Sequence, residues 1–359
     1  MSEEPEVLFE KRGGLGIITL NRPKALNALN QPMVLEIHPK MVEWAADDEV
    51  QAVLIVGTGE KAFCAGGDIL WLRNNGLENR PRALSFYWDE YRLNRYIKHY
   101  PKPYIAFIDG ITMGGGCGLS VHGDFRVATE RTMYAMPETG IGLFPDVGGS
   151  FFMPRCPGET GMFSALTGDR LKAGDSLHLG IANSYTPSAR LPELQKALEE
   201  GDLKDAETVK GILQDFHEDP GTSHVKLLEG QIDVVFREDS VEAIQEALKL
   251  NGSDFALKTL DTLSKKSPTS LKLTFQQMRR GAQLDFDDCM RMEYRMVTRT
   301  MDGHDFYEGV RAVIVDKDNA PKWRPDTLAA VSDAEIDAYF EPLGDRDLHF
   351  DGAPGTRVD

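Results

Sequence analysis

Cysteine is scarce, with four in 359 residues: Cys64, Cys117, Cys156 and Cys289. They are widely scattered and form no C-x-x-C pair, which speaks against a disulfide framework or a zinc site and fits free thiols. No run of 18 apolar residues occurs, so no membrane-spanning helix is expected. Basic residues are outnumbered. The 40 Lys and Arg against 57 Asp and Glu leave a formal net charge of -17, which argues against a nucleic-acid partner. There is no H-E-x-x-H, and GTGEKAF lacks the Ser or Thr that follows the lysine of a phosphate-binding loop. The segment GLSVHG is not the G-x-S-x-G elbow, and Ser120, His122 and Asp124 lie too close along the chain to assemble as a triad. His122 reads as a satisfied core residue. No metal and no cofactor are expected, and no internal repeat is visible. The opening MSEEPEVLFE reads as neither a signal peptide nor a basic transit peptide, so a cytoplasmic location is expected.

The length is ample for a sizeable core, as one large domain or one domain with an extension. Residues 7–20 read as a hairpin turning at Gly13–Gly14. A helix begins near Asn30, tolerates Pro32 in its first turn, and carries Met33, Ile37, Met41 and Trp44 as a core stripe. The apolar run AVLIV, residues 52–56, reads as a buried strand. It leads into GTGEKAFCAGGDI, residues 57–69, where Asp68 can cap a short helix. Residues 82–98 read as an amphipathic helix with Phe86, Tyr87, Tyr91 and Tyr96 on its aromatic side. Glu90 sits among them, and a helix glutamate is ordinarily solvated.

A second apolar run, Tyr104 to Ile108, leads into DGITMGGGCGLSVHGDFRVATERTMYAMPETGIGLFPDVGG. Gly114 to Gly116 stand in a row there, and Glu138 and Asp146 follow in loops rich in Gly and Pro. Two glycine turns, each after a buried run, can be tight strand-to-helix junctions. They can equally present free backbone N–H groups to one polarised oxygen with carboxylates beside it. Later segments read as helices at about 158–166, 239–249, 254–263, 270–301 and 306–315. Ser267–Pro268 is a helix start, and a short strand is expected near 180–182. The polar stretch 187–222 is expected to be peripheral, and the terminal DGAPGTRVD is expected to fray.

The pairing of the Gly67 and Gly115 turns resembles the crotonase superfamily of acyl-CoA enzymes. Within it, ITMGGGCGLSVHG, PETGIGLFPDVGG and DFYEGVRAVIVDKDNAPKWRP are similar to the 3-hydroxyisobutyryl-CoA hydrolase family. The resemblance implies an α/β fold, a crotonase-type spiral of ββα units with a helical C-terminal region. It divides the chain into a catalytic core at 1–188 and a mostly helical extension at 189–359 that covers the active site. It implies hydrolysis of a short 3-hydroxyacyl-CoA thioester in valine catabolism, with CoA as part of the substrate rather than a cofactor. Gly67 and Gly115 would supply the oxyanion hole and Glu90 would meet the substrate. Lys24, in the N-R-P loop, would meet a CoA phosphate.

The superfamily's hydratases carry a first glutamate after the triple glycine, where this chain has Gly118. Their second is retained as Glu138, and the hydrolase pattern supplies Asp146. Glu138 would then act as nucleophile or as the base for water. Asp146 would orient the substrate hydroxyl, donate to the leaving thiolate, hold a second water, or merely cap its turn. The alternatives are a hydratase- or isomerase-type reaction on a short acyl-CoA and a non-catalytic CoA-ester-binding protein. Homo-oligomers are common in the superfamily, and a long C-terminal extension could cover the same surface within one chain.

Overall fold

The computed structural model describes residues 4–351. Strand β1 (Val7–Arg12) pairs antiparallel with β2 (Leu15–Leu20) across the glycine turn. Helix α1 (Gln31–Ala46) starts where the Asn30 side chain accepts from the Met33 N–H, and it buries Met33, Ile37, Met41 and Trp44. From there one step repeats. The longer β3 (Ala52–Gly57) is followed by the short β4 (Ala62–Cys64), then by α2 (Ile69–Glu78) and α3 (Arg80–Lys98). Next come β5 (Tyr104–Ile108), β6 (Ile111–Met113) and α4 (Gly115–Ser120). The third step is β7 (Phe125–Ala128), β8 (Met133–Ala135), a 3-10 turn Glu138–Ile141, and helices α5 (Gly149–Phe152), α6 (Thr160–Thr167) and α7 (Ala173–His178). Strand β9 (Ser184–Tyr185) closes the series slightly beyond the expected position.

Each first strand joins a six-stranded sheet, ordered β1-β2-β3-β5-β7-β9, and each second strand joins a three-stranded sheet, ordered β4-β6-β8. All pairs after the hairpin are parallel. This is the spiral of ββα units that the resemblance implies. Sequence periodicity reveals only the longer strand of each step. Runs of three residues carry too little alternation to register as strands.

The large sheet is buried on both faces, as parallel sheets are. Ile18, Leu20, Val53, Ile55, Ala106 and Ile108 face the main core. Leu15, Ile17, Leu54, Ile105, Phe107 and Val127 face a second cluster, completed by Leu194, Leu198, Leu203, Val209 and Leu213. Those leucines and the valine belong to α8 (Leu191–Glu200), α9 (Ala206–Asp215) and the turn between them. The polar stretch expected to be peripheral is therefore a layer of the fold. Its helices each bury one narrow apolar stripe, which the polar composition around it masks.

The remaining helices are α10 (His224–Phe236), α11 (Val241–Asn251), α12 (Asp254–Ser264), α13 (Pro268–Gly281), α14 (Phe286–Thr300), α15 (Asp305–Val310) and α16 (Asp333–Ala338). The expected helix from 270 to 301 is two helices, because Asp285 caps α14 by accepting from the Asp288 N–H. The expected 306–315 helix changes at Arg311 into a π-helical turn. Helix α3 departs from the amphipathic reading. It packs against α1, α2, α4 and α14, and every residue from Phe86 to Asn94 is buried. No helix among the described residues is long and apolar enough to cross a membrane. The expected fraying of DGAPGTRVD lies outside the described residues except at Asp351, whose carbonyl accepts from Arg92 at 2.9 Å.

Candidate active site

The small sheet positions the site. Its three strands run parallel, with Cys64 beside Thr112 and Met113 beside Ala135, so their C-terminal ends lie along one edge. The segments leaving that edge are Ala65–Gly67, Gly114–Gly115 and Pro137–Glu138. Together with Phe86, Tyr87 and Glu90 of α3, and with Asp146, they line a cavity of about 90 Å³. That is room for several waters or a short acyl group. Larger hollows of about 550 and 510 Å³ lie elsewhere, but neither gathers buried acids without partners.

The glycines are required by close approach. Gly66 has φ +110° and Gly114 φ +45°, both in the left-handed half of backbone space. A Cβ on Gly115 would lie 2.5 Å from Glu90 Oε1 and 3.4 Å from the Gly67 nitrogen. A Cβ on Gly114 would lie 3.1 Å from Glu138 Oε1. Leu29 donates to the Gly66 carbonyl at 2.7 Å and Asp68 donates to the Leu29 carbonyl at 2.8 Å, which leaves the Gly67 N–H out of that bridge. Gly115 is the first residue of α4, where a backbone N–H has no intrahelical acceptor.

Three acids meet here with unusual electrostatics. Glu90, Glu138 and Asp146 are 2%, 5% and 4% exposed. Burial, followed by the charge of Asp146, pushes the Glu138 and Glu90 carboxyls well above the ordinary range. Burial raises Asp146 to about 7, opposed by Tyr91, whose hydroxyl donates to Asp146 Oδ2 at 2.8 Å. Among the described residues, Glu90 Oε1, Glu138 Oε2 and the Tyr87 hydroxyl have no hydrogen-bond partner. Orphaned buried polar atoms are costly, and their clustering marks a place built to receive something polar.

The turn carrying Asp146 is braced from far away. Gln277 Nε2 donates to the Pro145 carbonyl at 2.6 Å, and His122 Nε2 lies 2.6 Å from the Val147 carbonyl. Burial lowers His122 to about 3, so the ring is neutral and its Nε2–H is the donor. This bears out the core reading of His122. Ser120 Oγ donates to the Gly116 carbonyl at 2.8 Å and Asp124 accepts from the Tyr104 N–H, so no triad forms.

At Gly118, the position of the hydratases' first glutamate, there is no space for a side chain. A Cβ would lie 2.6 Å from Asn94 Nδ2 and 2.8 Å from Val147 Cβ. Of the residues singled out from sequence, Gly67, Gly115, Glu90, Glu138 and Asp146 come together. Lys24 does not line the cavity; it is exposed on the 3-10 turn Pro23–Ala25. Glu90 is not the solvated helix residue its type suggests, because the stretch of α3 from Phe86 to Asn94 is enclosed. Sequence reading missed Tyr91 as the partner of Asp146, along with Gln277 and Glu293. Glu293 carries a signal: it stands on an apolar helix face between Cys289 and Met290 before it and Met296 and Val297 after it.

A family model described as enoyl-CoA hydratase/isomerase matches residues 15–340. The chain belongs to the enoyl-CoA hydratase/isomerase family. Among family members, the proteins named "3-hydroxyisobutyryl-CoA hydrolase, mitochondrial" from Danio rerio and Gallus gallus are similar along nearly the whole chain. They are 51% and 49% identical over 348 residues, which is 96% of this chain and 91% and 90% of theirs. A solved family structure described as a carnitinyl-CoA dehydratase from Mycobacterium thermoresistibile matches with a TM-score of 0.92 at 40% identity. That match covers 98% of this chain and 100% of the other. The hydrolase relatives are mitochondrial by name, which overturns the expected cytoplasmic location. An acidic opening stretch is a poor guide here, because location is set by address segments that are separate from the folded enzyme.

Proposed function

We propose that this protein hydrolyses the thioester of 3-hydroxyisobutyryl-CoA, or of a close short 3-hydroxyacyl-CoA, to the hydroxy acid and free CoA. The closure of the Gly118 position carries this reading. The cavity keeps Glu138 but has no room for a second carboxylate from α4, and adding water across a double bond needs paired, placed proton donors and acceptors. Thioester attack does not need that pair.

The thioester oxygen accepts from the Gly67 and Gly115 N–H groups, which stabilise the charge that develops on it. Glu138 passes its proton to Asp146, an uphill transfer that these oxyanion contacts offset. The Glu138 carboxylate attacks the thioester carbon and the C–S bond breaks. Asp146 returns the proton to the leaving sulfur. Water then opens the mixed anhydride, with Asp146 taking its proton, and Glu138 is regenerated. Glu90, with an unpartnered oxygen against Gly115, reads the 3-hydroxyl of the acyl group. Lys24 meets a phosphate of the CoA nucleotide outside the cavity.

The test is free-thiol release by the purified protein from 3-hydroxyisobutyryl-CoA and from its analogue lacking the hydroxyl, beside hydration of a short enoyl-CoA. Rapid thiol release with no hydration is expected. Glu90→Gln should lose more on the hydroxylated ester than on the analogue. ¹⁸O found in Glu138 after a single turnover in labelled water identifies the anhydride route. Hydration without thiol release would establish instead the hydratase-type reading, which the carnitinyl-CoA dehydratase likeness favours. Tight ester binding with neither reaction would leave a binding protein.

A further inference from the structure

The turn from Pro145 to Ser150 has an awkward backbone. Val147 is β-branched yet adopts φ +50°, and Gly148 follows with φ +88°. A β-branched residue in the left-handed region persists only where its surroundings over-determine it. Asp146 immediately precedes this pair, so its direction depends on whatever holds the pair in place. A Cβ on Gly148 would lie 2.5 Å from the His122 ring, so the turn is packed closely against the segment that follows α4.

Glu293 is the largest part of that hold. It is fully buried on α14. Its Oε2 accepts from the Gly148 N–H at 2.8 Å, and its Oε1 accepts from the Ser150 N–H at 2.9 Å and from the Ser150 hydroxyl. One carboxylate thus takes three donors from two residues, Gly148 and Ser150. We infer that Glu293 is a positioning residue that aims Asp146 into the cavity, so that the C-terminal helices build the active site as well as enclosing it. The inference rests on the role assigned above to Asp146 in proton transfer.

The groups facing Asp146 come from several elements: Tyr87, Glu90 and Tyr91 from α3, Glu138 from the turn after β8, and Glu293 from α14. Glu293 itself is raised by burial to about 8, and the charge of Asp146 adds to that rise. Asp146, raised only to about 7, therefore ionises first, and Glu293 is still neutral while Asp146 titrates.

Glu293→Gln keeps the shape, but its amide NH₂ replaces one acceptor and faces a backbone donor. In thiol release from 3-hydroxyisobutyryl-CoA, kcat is expected to fall about 10–100-fold, as for a misplaced reacting group, with KM nearly unchanged. The acid limb of kcat/KM should stay in place, because Glu293 is neutral while Asp146 titrates. Glu293→Asp is shorter and cannot span both Gly148 and Ser150, so it should lose kcat in the same way. A kcat within about twofold of the parent in Glu293→Gln would overturn the inference. If Glu293→Gln does not fold, Ser150→Ala decides: a loss of kcat at constant KM supports the inference and an unchanged kcat overturns it. Asp146→Asn, run beside them, separates the two claims. An active Asp146→Asn enzyme removes the proton-transfer role itself. An inactive one beside an unaffected Glu293→Gln removes only the part given to Glu293.

Discussion

The two acidic turns of the cavity are built in opposite ways. Glu138 stands at the head of a 3-10 turn closed by local bonds, with Leu143 donating to the Glu138 carbonyl at 3.0 Å, and its Oε2 has no partner among the described residues. Asp146 sits in a turn of strained backbone held by Gln277, His122 and Glu293, and its own carboxylate accepts from Tyr91. The free carboxyl suits a group that must bond to substrate. The braced one suits a group that must receive and return a proton along a fixed line. Burial raises both; Tyr91 helps hold the braced acid to about 7, while a backbone N–H and the charge of Lys266 oppose the rise of Glu138 and still leave it well above the ordinary range. A difference in ionisation between neighbouring acids is what assigns their roles.

That contrast can be broken most severely at the free acid. Glu138→Gln should reduce thiol release by roughly 10³-fold or more while the protein still folds and binds CoA ester, as loss of a nucleophile does elsewhere. Near-parental kcat in that variant would reverse the assignment of the two turns. Next in size is Gly118→Ala, whose new Cβ would push on Asn94 and Val147 from beneath the braced turn. Overpacking of this kind costs about 1–3 kcal/mol, to be read from urea unfolding, and kcat should fall with it. No hydratase activity should appear.

A smaller and more telling effect is expected for Tyr91→Phe. The Tyr91 hydroxyl favours the ionised form of Asp146, so its loss raises the carboxyl above about 7. The acid limb of the pH–rate profile should move to higher pH, where Glu293→Gln leaves it in place, with a few-fold to about tenfold loss at pH 7. An unmoved limb in Tyr91→Phe would mean that Asp146 is not the titrating group. The smallest effect is expected outside both turns. Lys24→Ala should raise KM a few-fold at most and leave kcat alone, since an exposed ammonium is a weak, screened contact. A fall in kcat there would mean that the nucleotide end is coupled to the chemistry.

Much of this site is legible in the residues. The glycines at 66, 67, 114 and 115 announce close backbone approach, and Asp68, Asn30 and Ser267 announce helix starts that the structure contains. The substitution of glycine for the first hydratase glutamate is visible at a glance. The second sheet is not, because β4, β6 and β8 are three residues each. Nor is the enclosure of Glu90. A glutamate on an amphipathic helix reads as solvated until four other helices are seen around that helix.

Local order along this chain follows from short-range causes that lie wholly in neighbouring residues: the capping side chains, the hairpin glycines, the apolar alternation of the long strands. The resemblance to a thioester hydrolase family is likewise carried by contiguous motifs. The state of the acids is of another kind. The contacts that brace Asp146 join residues 132 and 145 positions apart, and the burial that raises Glu90, Glu138 and Asp146 is produced by helices remote from them in the chain. Desolvation and like-charge repulsion act through space and not along sequence, so only the packed fold could decide which carboxyl is free, which is held, and which ionises first.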